Sequence, residues 1–183
     1  SIGIGLLAFL FLFKIGEAFL GRMSLIFYKE IGFTKSDIGI FSKGLGWITT
    51  VSFTLIGGIL TVKIGLVRSI FIAGIFMAVT NLLFSLLFWT GKNYLIFSVA
   101  VILDDLAAAF ATVAFVAFIS VLVNRQYTAT QYALLASIGT LGRTTLASSS
   151  GSLVDYLNGD WGLFFVVTSV MVIPSLILIF FLK

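Results

Sequence analysis

The chain has 183 residues, 60% of them hydrophobic and only 10% charged, with a formal charge of +4. A soluble domain carries about 25% charged residues, and a chain of this size has one core of limited volume, so the composition argues against a water-soluble fold. There is no Cys and no His. That removes disulfide and thiolate chemistry, together with the commonest general base and metal ligand. The basic residues are scattered singly and offer no patch for nucleic acid.

Ser1 leads straight into apolar sequence, without an initiator Met or a cationic region followed by a cleavage site. That start predicts a segment of a longer protein with no signal peptide. A bilayer core needs about 20 apolar residues in a helix, and six such stretches lie between polar breaks. They cover residues 2–28, 36–60, 69–90, 94–123, 129–157 and 161–182. Ser36 is the expected N-cap of the second, with Asp37 in its first turn. The fourth would exceed about 40 Å if fully helical. Pro174 should kink the last. Every connection is short, so one membrane domain accounts for 1–183. Nothing alternates with the period of two that a membrane β-barrel requires. With Ser1 cytoplasmic, Lys63, Arg68, Arg125 and Lys183 fall inside and Lys29, Lys35 and Lys92 outside, a slim positive-inside margin.

The informative residues are the charges within these spans. Lys14, Glu17 and Arg22 lie in the first, Lys43 in the second, Asp104 and Asp105 in the fourth, and Arg143 in the fifth. Each costs on the order of 3 kcal/mol near the bilayer centre, so they should face one another or a water-filled cavity. Lys14 and Glu17, at i and i+3, share a helix face. Arg22 is expected to snorkel to the headgroups as an interfacial anchor. Lys43 and Trp47, at i and i+4, should set an aromatic ring beside a cation. Asp104 and Asp105 should point about a quarter turn apart. Ser137, Thr140, Thr144, Ser148, Gly151 and Asp155 repeat at three and four residues, a stripe that reads either as helix–helix glue or as part of a polar path. The chain lacks the His-Glu-x-x-His and Gly-x-Ser-x-Gly signatures and any Cys/His pair. Asp104 and Asp105 adjoin, whereas an intramembrane aspartyl protease would place its acids on different helices. The reading is a non-enzyme with no metal site and no cofactor. Acids at mid-helix suit proton uptake and release.

Glu17 and the Asp104/Asp105 pair each fall in the first helix of a triplet, which fits a 3+3 inverted repeat. The stretch from Gly57 to Arg68 resembles the major facilitator loop pattern G-x-L-a-D-r-x-G-r, with Val62 in place of its acid. A longer resemblance rests on Lys14-Ile15-Gly16-Glu17, Gly32-Phe33 with Gly39, Lys43-Gly44-Leu45-Gly46, Gly57-Gly58-Ile59-Leu60 and Ala114-Phe115-Val116-Ala117. It also rests on Thr128-Ala129-Thr130-Gln131-Tyr132-Ala133-Leu134-Leu135-Ala136-Ser137 and Gly142-Arg143. On these residues the chain resembles the C-terminal six-helix half of the AmpG-type muropeptide permeases of the major facilitator superfamily. Members often carry Asp at the position of Glu17 and Glu-Asn at Asp104-Asp105.

The resemblance implies an all-α integral membrane half-transporter in the bacterial inner membrane, with Ser1 cytoplasmic and the first and fourth helices lining the central cavity. It also implies proton-coupled import of muropeptides from periplasm to cytoplasm. Glu17, Asp104 and Asp105 are the proton-coupling candidates. Lys14, Lys43, Arg143 and Trp47 are the candidates for substrate binding or charge pairing. The expected partners are the lipid bilayer, a cell-wall sugar-peptide substrate, protons, and a complementary six-helix half or second copy. The alternatives are a non-transporting sensor or assembly partner, or an inactive fragment that keeps the fold.

Overall fold

The computed structural model describes residues 2–181, and every regular element within them is helical. Ser1, Lys183 and the last residue of the sixth expected span, Leu182, lie outside the described residues. The first span comprises α1 (Ile2–Leu12) and α2 (Ile15–Ile31), joined through Phe13 and Lys14. The second comprises α3 (Lys35–Ile38), a π-helical turn (Gly39–Gly44) and α4 (Gly46–Ile64). The third and fourth are the unbroken α5 (Leu66–Thr90) and α6 (Tyr94–Leu122). At 29 residues, α6 is about 43 Å long. The fifth is α7 (Thr128–Ser148) followed by α8 (Ser150–Tyr156), and the sixth is α9 (Trp161–Val170) followed by α10 (Ile173–Phe181).

Five of these stretches are long and apolar enough to cross a membrane: Gly3–Ile31, Lys35–Ile64, Leu66–Thr90, Tyr94–Leu122 and Trp161–Phe181. The fifth expected span, 129–157, is helical but is not among them. Its Ser, Thr and Gly residues replace larger apolar side chains, and Ser149 divides it.

Local chemistry sets the ends of the elements. Gly32 adopts φ 107° and closes α2, a conformation open to Gly at little cost. Thr34, rather than Ser36, caps the second span: its hydroxyl accepts from Asp37 N–H while the Asp37 carboxylate accepts from Thr34 N–H. This reciprocal box satisfies two free donors at once, which a cap at Ser36 would not do. Asn93 caps α6 through Leu95 and Ile96 N–H, and Asp160 caps α9 through Leu163 N–H. The break in the last span falls just before Pro174, in the first turn of α10, where a missing N–H is tolerated. Ser175 Oγ donates to the Val172 carbonyl at 2.7 Å there.

Two apolar clusters fill the bundle. One joins Phe19, Phe27, Phe84, Phe97, Trp161 and Phe165; the other joins Phe9, Phe13, Ile70, Phe110, Phe115 and Ile179. Between them runs a belt of buried polar groups that crosses helices: Asn81 Nδ2 donates to Thr168 Oγ1 at 3.1 Å, and Ser169 Oγ donates to Ala78 O at 2.8 Å. Such bonds matter because lipid supplies no hydrophobic force to hold helices together. The extensive contacts are α5 with α6 and α9, α6 with α4, and α7 with α1 and α2. The outward residues of α4, including Val51, Leu55, Ile59 and Val62, are exposed and apolar, as a lipid-facing surface would be.

At one end of the bundle the buried Trp161 indole donates to the Glu30 carboxylate. Glu30→Ala should leave that N–H unsatisfied and cost about 1–3 kcal/mol. Glu30→Gln, which keeps an acceptor, should cost less than about 1 kcal/mol. Unfolding midpoints in detergent would check this, and equal losses in the two variants would contradict it.

Candidate functional site

The charges within the spans gather around α6. Lys14 stands at the α1/α2 junction. Its Nζ lies 3.0 Å from Glu17 Oε2 and donates to Thr112 Oγ1 on α6 at 2.8 Å. Arg143 Nη2 on α7 lies 3.8 Å from the other oxygen, Glu17 Oε1. Glu17 therefore joins the junction to α7, and Lys14 joins it to α6. Glu17 Oε2 is buried and accepts no aligned hydrogen bond, so Lys14 meets it as a charge rather than as a directional donor.

Asp104 and Asp105 diverge as the one-residue step on a helix requires. Asp104 Oδ1 faces α5, where Thr80 Oγ1 approaches to 3.4 Å. Asp105 Oδ2 faces α4 and accepts from Thr49 Oγ1 at 2.8 Å. A Cβ placed at Gly46 would sit 3.3 Å from that same oxygen, so the glycine lets the first turn of α4 approach the acid. Asp104 is within electrostatic reach of both Glu17 and Asp105.

Lys43 and Trp47 are both exposed, and among the described residues no cation–π contact joins them. Among the described residues the cation–π contacts belong to Lys92, over Phe33 at 5.7 Å and Tyr94 at 5.2 Å. Lys43 lies in the π-helical turn, whose wider winding shifts the register before Trp47, so the α-helical i, i+4 spacing does not hold there.

The Arg22 side chain is exposed. It lies nine residues, about 13 Å, short of the α2 C-terminus. It lines a cleft of about 380 Å³ with Arg143, Thr144, Ser148 and Gly21. Ser137, Thr140, Thr144 and Ser148 are exposed. Ser137 and Thr140 donate to their own helix at Ala133 and Ala136, and Ser148 donates to Thr145. The close packing is made by Gly139 against Phe115 and Leu10, and by Gly142 against Phe11. Small residues face inward, and the hydroxyls face the open side shared by Arg22 and Arg143.

No protein-family model matches the chain. It is 36% identical over 178 residues to a putative transporter AmpG 4 of Rickettsia felis, covering 97% of this chain and 42% of that protein. It is 32% identical over 175 residues to the anhydromuropeptide permease of Escherichia coli K12, covering 95% of this chain and 35% of the permease. A putative transporter AmpG 1 of Rickettsia prowazekii is 31% identical over 178 residues, 97% and 40% of the two chains. This chain is a homologue of the AmpG-like transporters. It spans 42%, 35% and 40% of the length of these three curated relatives. The relatives are named as transporters and permeases, not as enzymes. With its apolar helices, this makes the AmpG-like chain a multi-pass membrane protein.

Several residues at the site were not singled out by reading the sequence. Thr49 and Thr80, which meet the two aspartates, come from other helices, and nothing in their own surroundings marks them. Thr112 could have been found: it falls seven residues after Asp105, two turns along the same side of α6. The cleft that Arg22 lines includes residues of α7 and cannot be read from α2 alone.

Proposed function

We propose that the chain forms one wall of a secondary transport path for a cell-wall sugar-peptide solute, moved from periplasm to cytoplasm across the bacterial inner membrane. The observation that carries this reading is the open polar side of α2, α6 and α7 in a homologue of transporters. Lys14, Thr140 and Arg143 line a recess there, with Lys14 bonded to Thr112, and a second recess holds Arg22. A bilayer would not accept these groups, whereas a water-filled path requires them. The opposite wall is supplied by the rest of a longer protein, by a complementary chain or by a second copy.

Glu17, Asp104 and Asp105 are the groups proposed to carry the coupled proton. Each touches a different neighbour: Lys14 and Arg143 for Glu17, α5 for Asp104, and α4 for Asp105. Protonating any of them alters one interhelical contact, which is what a proton must do to bias a conformational equilibrium.

The test is uptake of labelled anhydromuropeptide into membrane vesicles by the intact transporter under an imposed proton gradient. Glu17→Gln and Asp105→Asn should each lower gradient-driven uptake about 10-fold or more, a factor worth about 1.4 kcal/mol. If both variants transport as well as the parent, these carboxylates are not the coupling groups.

A further inference from the structure

We propose that the cleft between α2 and α7, walled by Arg22 and Arg143, seats a carboxylate of the transported solute, and that Glu17 competes with this carboxylate for Arg143. The proposal rests on the transport reading above and adds the solute's recognised group and its link to the proton.

Arg143 has two sides. One guanidinium nitrogen lies 3.8 Å from Glu17, yet half of the side chain remains exposed and lines the cleft. Arg22 enters the same cleft from α2 and, among the described residues, has no carboxylate within 4.0 Å. Ser148 already donates to Thr145 O, whereas the Thr144 hydroxyl makes no hydrogen bond among the described residues. Two guanidinium forks and a free hydroxyl form a donor set suited to a planar carboxylate, which guanidinium binds through two parallel bonds. The cleft has room for such a group and opens on the polar side of the bundle, not on the apolar face of α4.

The charges around Glu17 define the link. Lys14 faces it from the junction and Arg143 from α7, while Asp104 lies within electrostatic reach on α6, next to Asp105. The other helices packed on α2 bring no ionisable group to this level. Those of α3 and α8 (Lys35, Asp37, Asp155) and of the α5 and α9 ends (Arg68, Asp160) sit near helix termini. When Glu17 is ionised it holds part of Arg143's charge. When it is protonated, Arg143 is released to the cleft. Proton and solute carboxylate therefore favour each other's binding, and such a linkage is reciprocal.

The test measures binding of muramyl dipeptide, which carries one free carboxylate, and of its C-terminal amide. The intact protein is held in phosphatidylcholine nanodiscs at about pH 7.5, where the solute carboxylate is ionised. Arg22→Gln should weaken the acid about 10-fold and leave the amide unchanged. Arg22→Lys, which keeps the charge but not the fork, should fall between. Glu17→Gln, which removes the charge competing for Arg143, should bind the acid more tightly than the parent; unchanged binding would overturn the competition. Equal binding of acid and amide by the parent, or no effect of Arg22→Gln, would overturn the carboxylate seat while leaving the transport reading intact. Acetate and inorganic phosphate bound in an Arg22-dependent way, with no binding of muramyl dipeptide, would keep an anion seat and remove the sugar-peptide assignment. Loss of the acid's binding when phosphatidylglycerol is added would make the cleft a lipid headgroup site and overturn the proposal.

Discussion

Gly142→Leu should separate α7 from α1 and prevent the protein from accumulating in the membrane. A Cβ at position 142 would collide with the Phe11 carbonyl oxygen and come within 2.9 Å of the Phe11 ring. The ring can rotate, but the carbonyl belongs to the α1 backbone, so relief requires moving a whole helix. Overpacking a tight interface costs about 1–3 kcal/mol and occasionally more. Gly142→Ala should therefore lose about 2 kcal/mol, and the leucine variant more. The helix-forming advantage of Ala over Gly, about 1 kcal/mol, is too small to offset the clash. At Gly58, in the middle of α4 with nothing within 4 Å, that same advantage is unopposed, so Gly58→Ala should be neutral or slightly stabilising. Fluorescence-monitored expression and unfolding of the two alanine variants side by side would decide this. A Gly142→Ala protein as stable as Gly58→Ala would show that α7 is not closely seated on α1. Position 142 also adjoins Arg143, so any displacement of α7 carries that guanidinium away from Glu17.

The parts of this architecture that were legible in the sequence are those governed by a single helix. The apolar stretches, the i, i+3 meeting of Lys14 with Glu17 and the divergence of Asp104 from Asp105 all follow from 3.6 residues per turn. What escaped depends on which side of a helix meets a neighbour. Helical periodicity placed Ser137, Thr140 and Thr144 on one side of α7 without saying which way that side points. Small residues and hydroxyls are both accepted between membrane helices. Gly139 and Gly142 took the interface because they admit the α1 backbone, which left the hydroxyls on the open side. The π-helical turn at Gly39–Gly44 contains no proline to announce it, and it undid the expected meeting of Lys43 with Trp47. The depth of Arg22 along α2 is readable in the sequence, but the cleft it lines is formed only when α7 docks.

The ion pair at the centre of the site makes the second large prediction. Lys14→Met should destabilise the protein more than Glu17→Met, and the double variant should recover most of the loss. Removing Lys14 leaves Glu17 with a buried oxygen that accepts no hydrogen bond and with one cation at 3.8 Å, itself half exposed. Stranding a buried charge costs about 3–5 kcal/mol. The two side chains keep 15% and 17% of their surface exposed, so about 2–3 kcal/mol is the appropriate range here. Removing Glu17 instead leaves Lys14 with its hydrogen bond to Thr112, and its long stem can carry the ammonium toward water; about 1 kcal/mol is expected. Replacing both with Met removes the attraction and the desolvation penalty together, which is often nearly neutral. The double-mutant cycle should thus give a coupling of at least about 1.5 kcal/mol, within the range seen for residues in direct contact. Additive losses would mean that Lys14 and Glu17 do not sense each other, and the charge balance on which Arg143 depends would have to come from Asp104. A large coupling combined with loss of transport in the double variant would separate the two roles of the pair, because packing would be restored while the proton-accepting group was gone.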